Sequence, residues 1–226
     1  MLRNPLRMPR TILCLATAAC LLLSACVANT QKNGATASAA PTTPNAPFSI
    51  MMTMAIYEGV LAFPTPHWVT TIKDLANIKT FRNQSASSYT FEQIPKDQEF
   101  ENWSTLYGVY GWQKAGYDMP HFIAESTDAL AKGCKTQARI KQVTAEKDKA
   151  IATFDCDTLA DGLAKDGKDS ESGVLLMTRT GNSYVRVYQA WRAPSQDRGT
   201  PAWPADEATL AANVERMQRI TYSPRK

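Results

Sequence analysis

The chain has 226 residues, 25 Lys+Arg against 21 Asp+Glu, a formal charge of +4 and 44% hydrophobic residues. Arg3, Arg7 and Arg10 all fall in the first ten residues with no acid beside them, so from residue 26 onward the balance is 22 basic to 21 acidic. A near-neutral body gives no electrostatic basis for nucleic-acid binding, which rests on neutralised phosphates; only Arg225 and Lys226 form a local basic tail.

In chain order, the basic start is followed by Thr11 to Leu23, a nearly continuous apolar or small run. This is the pattern of a signal peptide, residues 1–25, and the run is too short to cross about 30 Å of hydrocarbon as a helix. Leu23-Ser24-Ala25-Cys26 closes it with a branched apolar residue, two small residues and a cysteine. That segment resembles the lipobox of bacterial lipoprotein precursors. The resemblance implies diacylglycerol on the Cys26 sulfur, cleavage between Ala25 and Cys26, and a further acyl chain on the new amino terminus. Anchoring of this kind is stable because two or more chains hold where one is marginal. Val27 in place of aspartate implies the outer membrane, facing the periplasm, in a cell that has one. The alternative is an ordinary signal cut near Ser24-Ala25, which would free the protein.

The same cut sorts the five cysteines. Cys14 and Cys20 leave with the signal peptide and Cys26 is acylated, which leaves Cys134 and Cys156 in the folded part. Outside the cytoplasm two remaining thiols usually pair, here closing a loop of roughly twenty residues, for which chain entropy gives about 3 kcal/mol. No CxxC redox pair occurs. The two histidines, His67 and His121, lie far from these cysteines with no zinc spacing, so no metal or other cofactor is expected.

Residues 26–47 are the acylated Cys26 and a run of Ala, Thr, Asn and Pro with too little apolar surface to offset ordering entropy, which reads as a disordered tether. As a flexible chain of about twenty residues it would hold the domain on the order of 25 Å from the bilayer. Residues 48–226 are long enough for one globular domain with a core.

Within that domain, Ser49 to Tyr57 is apolar without a deciding period. Leu61 to Trp68 contains Pro64 and Pro66, which argue against a central strand and for an irregular segment. Asn77 to Arg82 and Ser88 to Ile94 read as a hairpin about a polar turn, with Pro95 ending the second run. Trp103 to Trp112 (WSTLYGVYGW) has strand composition. Alternation puts Trp103, Tyr107 and Val109 on one face and Leu106, Tyr110 and Trp112 on the other, which requires burial on both sides or an irregularity at Gly108 or Gly111.

A helix follows, with Asp118 as cap, Pro120 in the first turn and Gly133 as a left-handed stop that sets Cys134 just beyond it. Ala138 to Val143 and Ala150 to Phe154 read as antiparallel strands, Cys156 closing the second. Val174 to Arg179 and Tyr184 to Trp191 flank Gly181-Asn182, a tight hairpin turn. Asp206 to Ile220 is amphipathic, with Leu210, Val214, Met217 and Ile220 on one stripe and Glu207, Asn213, Arg216 and Arg219 off it. The sum is an α+β single domain, a mainly antiparallel sheet with two or three helices packed on it.

Ile94-Pro95, Glu101-Asn102-Trp103-Ser104, the helix ending at Cys134 and Tyr184 to Arg192 together resemble a group of uncharacterised secreted proteobacterial proteins. The expected fold is similar to that of the PsbP and Mog1 proteins.

No nucleophile elbow, phosphate loop, zinc-protease helix or Rossmann glycine pattern occurs. His67, between Pro66 and Trp68, reads as a packed or half-exposed loop residue, and His121 as a capping or surface one. Asp155, Asp157, Asp161, Asp166, Asp169 and Glu171 lack the EF-hand spacing and read as a solvated loop. Trp103, Tyr107, Tyr110 and Trp112 are a candidate face for a ligand or partner, or else core.

The expectation is a lipid-anchored envelope protein with a non-catalytic binding or structural role, its partner an envelope protein or peptidoglycan. The alternatives are an envelope hydrolase using carboxylates near the aromatic strand, or a carrier of a lipid or small apolar ligand.

Overall fold

The computed structural model describes residues 50–226. The signal peptide, the Ala25/Cys26 cleavage and acylation site, and the tether lie outside the described residues.

The described residues form one α+β domain with ten strands. These are β1 (Met51–Ile56), β2 (Gly59–Pro64), β3 (Ile78–Gln84), β4 (Ser88–Pro95), β5 (Thr105–Gln113), β6 (Arg139–Ala145), β7 (Lys149–Cys156), β8 (Ser170–Thr180), β9 (Ser183–Ala193) and β10 (Thr221–Pro224). Helix α1 (Met119–Lys132) separates β5 from β6, and α2 (Glu207–Gln218) precedes β10. Seven strands build a sheet in the order β3-β4-β5-β9-β8-β7-β6, and three build a smaller one, β1-β2-β10. Every pairing is antiparallel.

The central strands of the large sheet are buried on both faces, and their alternation assigns each face. In β8, Leu175 and Met177 point into a core with Met119 and Phe122 of α1, while Val174 and Leu176 join Val214 and Met217 of α2 and Leu61 and Phe63 of β2. Successive side chains on a strand point to opposite faces, which is why one run of apolar residues serves two cores. The β8–β9 hairpin turns at Gly181-Asn182, with Gly181 at φ +54°, the left-handed region that glycine enters freely.

Three sequence expectations are corrected. Strand β2 is the middle strand of the small sheet despite Pro64, because Pro64 occupies the last rung, opposite Met51, and the irregular backbone begins only beyond it. A missing amide there costs the ladder nothing. Helix α1 is capped as expected, Asp118 accepting from the His121 amide at 2.9 Å. Gly133, however, sits at φ −75°, in right-handed conformation, and closes the helix by donating to the carbonyls of Leu130 and Ala131.

On α2, Asn213 and Arg216 are buried. Their polar ends meet backbone carbonyls, Asn213 that of Thr209 at 2.9 Å and Arg216 that of Thr65, which removes the penalty an apolar stripe would avoid. Of the two readings of β5, burial on both sides holds: Leu106 and Tyr107 enter opposite cores, and the registers with β4 and β9 run unbroken past Gly108 and Gly111.

Candidate functional site

The four aromatic residues of the candidate face are divided by the sheet. Tyr107 points to the α2 side, stacked on Phe63 with ring centroids 6.3 Å apart, and its hydroxyl has no partner among the described residues. Burial pushes that hydroxyl well above its ordinary pKa. Tyr110 and Trp112 point to the α1 side, as alternation requires. Trp103 joins them there, contrary to the parity read from the sequence. It precedes β5, which begins at Thr105, so the strand period does not reach it.

Trp103 and Tyr110, but not Trp112, help line a cleft of about 280 Å³ between the large sheet, α1 and the loop after β7. Its floor is built by two repetitions of one arrangement. Tyr110 lies across Gly108, where a Cβ would come within 2.6 Å of the ring, and its hydroxyl donates to Glu92 at 2.6 Å. Tyr188 lies against Gly173, where a Cβ would meet the ring at 3.0 Å, and its hydroxyl donates to Glu171. Burial, then the neighbouring carboxylate charge, holds both phenols well above their ordinary range, so each stays a donor.

Glu171 is almost fully buried and spends its other oxygen on Arg192 at 2.6 Å. The Arg192 guanidinium lies 4.1 Å from the Trp103 ring centre, a cation–π contact that fixes the indole at the cleft's end. Leu106, Leu130, Phe154, Leu159 and Leu163 supply apolar wall.

Arg186 completes the lining and differs from the other charges. Its guanidinium lies over Tyr110 at 5.0 Å and Trp112 at 5.5 Å. Among the described residues it makes no salt bridge within 4.0 Å, and its buried Nε has no hydrogen-bond partner. Glu125 of α1, the carboxylate that acts on it from the helix, is held by Lys114 at 2.6 Å and by the Tyr117 hydroxyl. Burial lowers the Arg186 pKa, against which the neighbouring tyrosines work.

The acidic stretch is not a solvated loop throughout, which corrects the sequence reading. Asp155 is bound by Arg139, by Ser172 and by Arg198 at 2.6 Å, and Asp157 by Arg139. Asp169 accepts from the Ser195 amide at 2.7 Å. Arginines distant in sequence neutralise carboxylates that a local window shows as free. Only Asp161, Asp166 and their neighbours stay at the surface.

Cys134 and Cys156 come together with Cα atoms 5.7 Å apart, within the span that a disulfide bridges. His121 lies on the surface beside its cap. His67 is packed between Trp68 and Trp191, its Nε2 accepting from the Trp191 indole at 3.3 Å. Burial lowers its pKa to about 4. Among the described residues no three His, Cys, Asp or Glu gather to hold a metal ion, and no helix is long and apolar enough to cross a membrane.

Sequence reasoning missed Glu92, Glu171, Arg186 and Arg192 as a group. Arg186, a charge in mid-strand between valines, was the one local signal.

No family model and no curated protein sequence matches the chain. Among solved structures, the chain is similar to a single-substitution variant of protein Mog1, with a TM-score of 0.45 and 12% identity over 76% of this chain and 95% of that one. It is also similar to the Saccharomyces cerevisiae Ran-binding protein Mog1p, with a TM-score of 0.44 and 10% identity over 77% and 96%.

Proposed function

We propose that the protein is a lipid-anchored component of the bacterial envelope that binds a ligand, without chemical conversion, in the cleft beneath α1. The lipobox-like Leu23-Ser24-Ala25-Cys26 supports the anchoring, with acyl chains on Cys26 and the domain facing the periplasm, and a Cys134–Cys156 disulfide fits that compartment. The observation that carries the binding role is the lining of the cleft: aromatic and aliphatic walls, and an arginine whose hydrogen-bonding capacity is unspent. Sites for small ligands have this composition, mostly apolar with a few placed polar groups.

The hydrolase alternative has one observation in its favour, that Glu92 and Glu171 line the same cleft. Against it, Glu171 is committed to Arg192 and Tyr188, and Glu92 accepts from Tyr110. A general acid and base must be free to exchange protons with substrate, so these contacts favour binding.

The anchoring is tested by growing cells with an alkyne-tagged palmitate. The wild-type protein should take up label and fractionate with membranes, whereas Cys26→Ser should remain unlabelled and accumulate as precursor. Label retained by Cys26→Ser would refute the anchor.

A further inference from the structure

The charges of the cleft are matched except at two atoms. Glu171 and Arg192 satisfy one another, and Tyr188 takes the second oxygen of Glu171. Glu92 gives Oε1 to Tyr110 at 2.6 Å, and its Oε2 has no partner among the described residues. Among the described residues Arg186 has neither a carboxylate within 4.0 Å nor a carbonyl acceptor, and its buried Nε has no partner. The Arg186 Nε–H is cut off from water and finds no in-plane acceptor, only ring faces beside it, a cost that an anion in the cleft would remove. Arg186 lies opposite Tyr110, which lies opposite Thr90, so Glu92 stands two strands across and two residues along from it. Strand spacing puts their Cα atoms about 12 Å apart, and Tyr110 lies between the two side chains, its ring under Arg186 and its hydroxyl on Glu92.

We propose that the cleft binds a small carboxylate with an apolar body, its carboxylate paired with Arg186 and its body against Leu106, Leu130, Leu159 and Leu163. The inference rests on the reading of this cleft as the ligand site. The volume of about 280 Å³ has room for a ligand body on the order of ten non-hydrogen atoms, by comparison with about 30 Å³ for one water. Two sources share this chemistry: an aliphatic acid, and an apolar α-amino acid, whose ammonium would also meet the unpartnered Glu92 oxygen.

The test is calorimetric titration of the purified full-length protein with 4-methylpentanoate, leucine and isoamylamine. At least one of the two carboxylates should bind with a dissociation constant of about 1 mM or tighter. Isoamylamine, which keeps the apolar body and lacks the carboxylate, should bind about tenfold more weakly or not at all. Arg186→Gln, checked for an unchanged circular dichroism spectrum, should lose the same tenfold or more, and Arg186→Lys should recover part of it. Leucine binding tighter than 4-methylpentanoate, with the advantage lost in Glu92→Gln, assigns the amino acid; the reverse order assigns the aliphatic acid. No binding of either carboxylate at about 10 mM, or equal binding of isoamylamine, overturns the proposal. If that happens while adducts still form in cells from a photoreactive residue at Ala129, on the cleft's α1 wall, only the ligand class falls. Loss of both removes the cleft reading itself.

Discussion

Tyr110 lies flat on the sheet because residue 108 is glycine: any Cβ there would stand 2.6 Å from the phenol ring. Flattened, the ring carries its hydroxyl to Glu92 and offers a face to Arg186. Gly108→Ala should therefore lift the ring, break the bond to Glu92 and fill the floor of the cleft. The expected cost is about 1–3 kcal/mol, from overpacking and one lost hydrogen bond, measured by urea denaturation. An unchanged midpoint would show that the ring has another place to lie.

Glu171 and Arg192 form a buried ion pair, with side chains 6% and 16% exposed. Removing one partner strands the other charge, so Glu171→Gln should destabilise the domain by about 3 kcal/mol. Joint replacement with Arg192→Met should recover part of that loss, because no charge is then left unpaired. The check is a double-mutant cycle of unfolding free energies; additive effects would contradict the coupling.

His67 titrates in the native state at about 4, from an ordinary 6.5, because it is buried beside the Trp191 indole. Between those values the unfolded chain takes up a proton and the native protein does not, so stability falls as pH falls. Across the full window the loss is about 3 kcal/mol. Depressed carboxylates such as Asp157, held low by its Arg139 hydrogen bonds, add their loss only below about pH 4. Urea titrations at pH 6.5 and 4.5 should show most of the His67 loss in the wild type and little in His67→Phe. A slope unchanged by that substitution would place the titrating group elsewhere.

The Cys134–Cys156 pair should appear joined in peptide mass maps made without reductant. Reduction, or Cys134→Ser with Cys156→Ser, should lower stability by about 3 kcal/mol. Two free thiols in protein taken from the envelope would contradict the pairing.

Much of the fold was legible because its signals are local. Period-two runs, Gly181-Asn182 and the Asp118 cap placed seven of the ten strands and both α-helices within a few residues, and the four-residue β10 was too short to show a period. Among the strands not placed, β1 and β2 resisted for different reasons: the methionines of β1 carry no period, and Pro64 misled because its cost depends on which rung it occupies. The cleft was hidden for a further reason. Arg192 and Glu171, or Tyr110 and Glu92, meet only through strand registers that no window of sequence displays, and Trp103 changed faces at the start of β5. Arg186 was visible as a charge in mid-strand, but its lack of a partner is a property of the packed sheet.

The central claim is that the cleft beneath α1 is where the protein meets its ligand in the envelope. The most direct measurement is photocrosslinking in intact cells from a photoreactive residue at Ala129, an exposed position on the cleft's α1 wall. Glu215 on α2, against the other face of the large sheet, serves as the control position. The modified peptide is weighed after purification. The account predicts an added mass at position 129, absent at 215 and reduced by Leu163→Trp, which fills the cleft from its opposite wall. Equal adducts at 129 and 215, or adducts at 129 indifferent to Leu163→Trp, would contradict it.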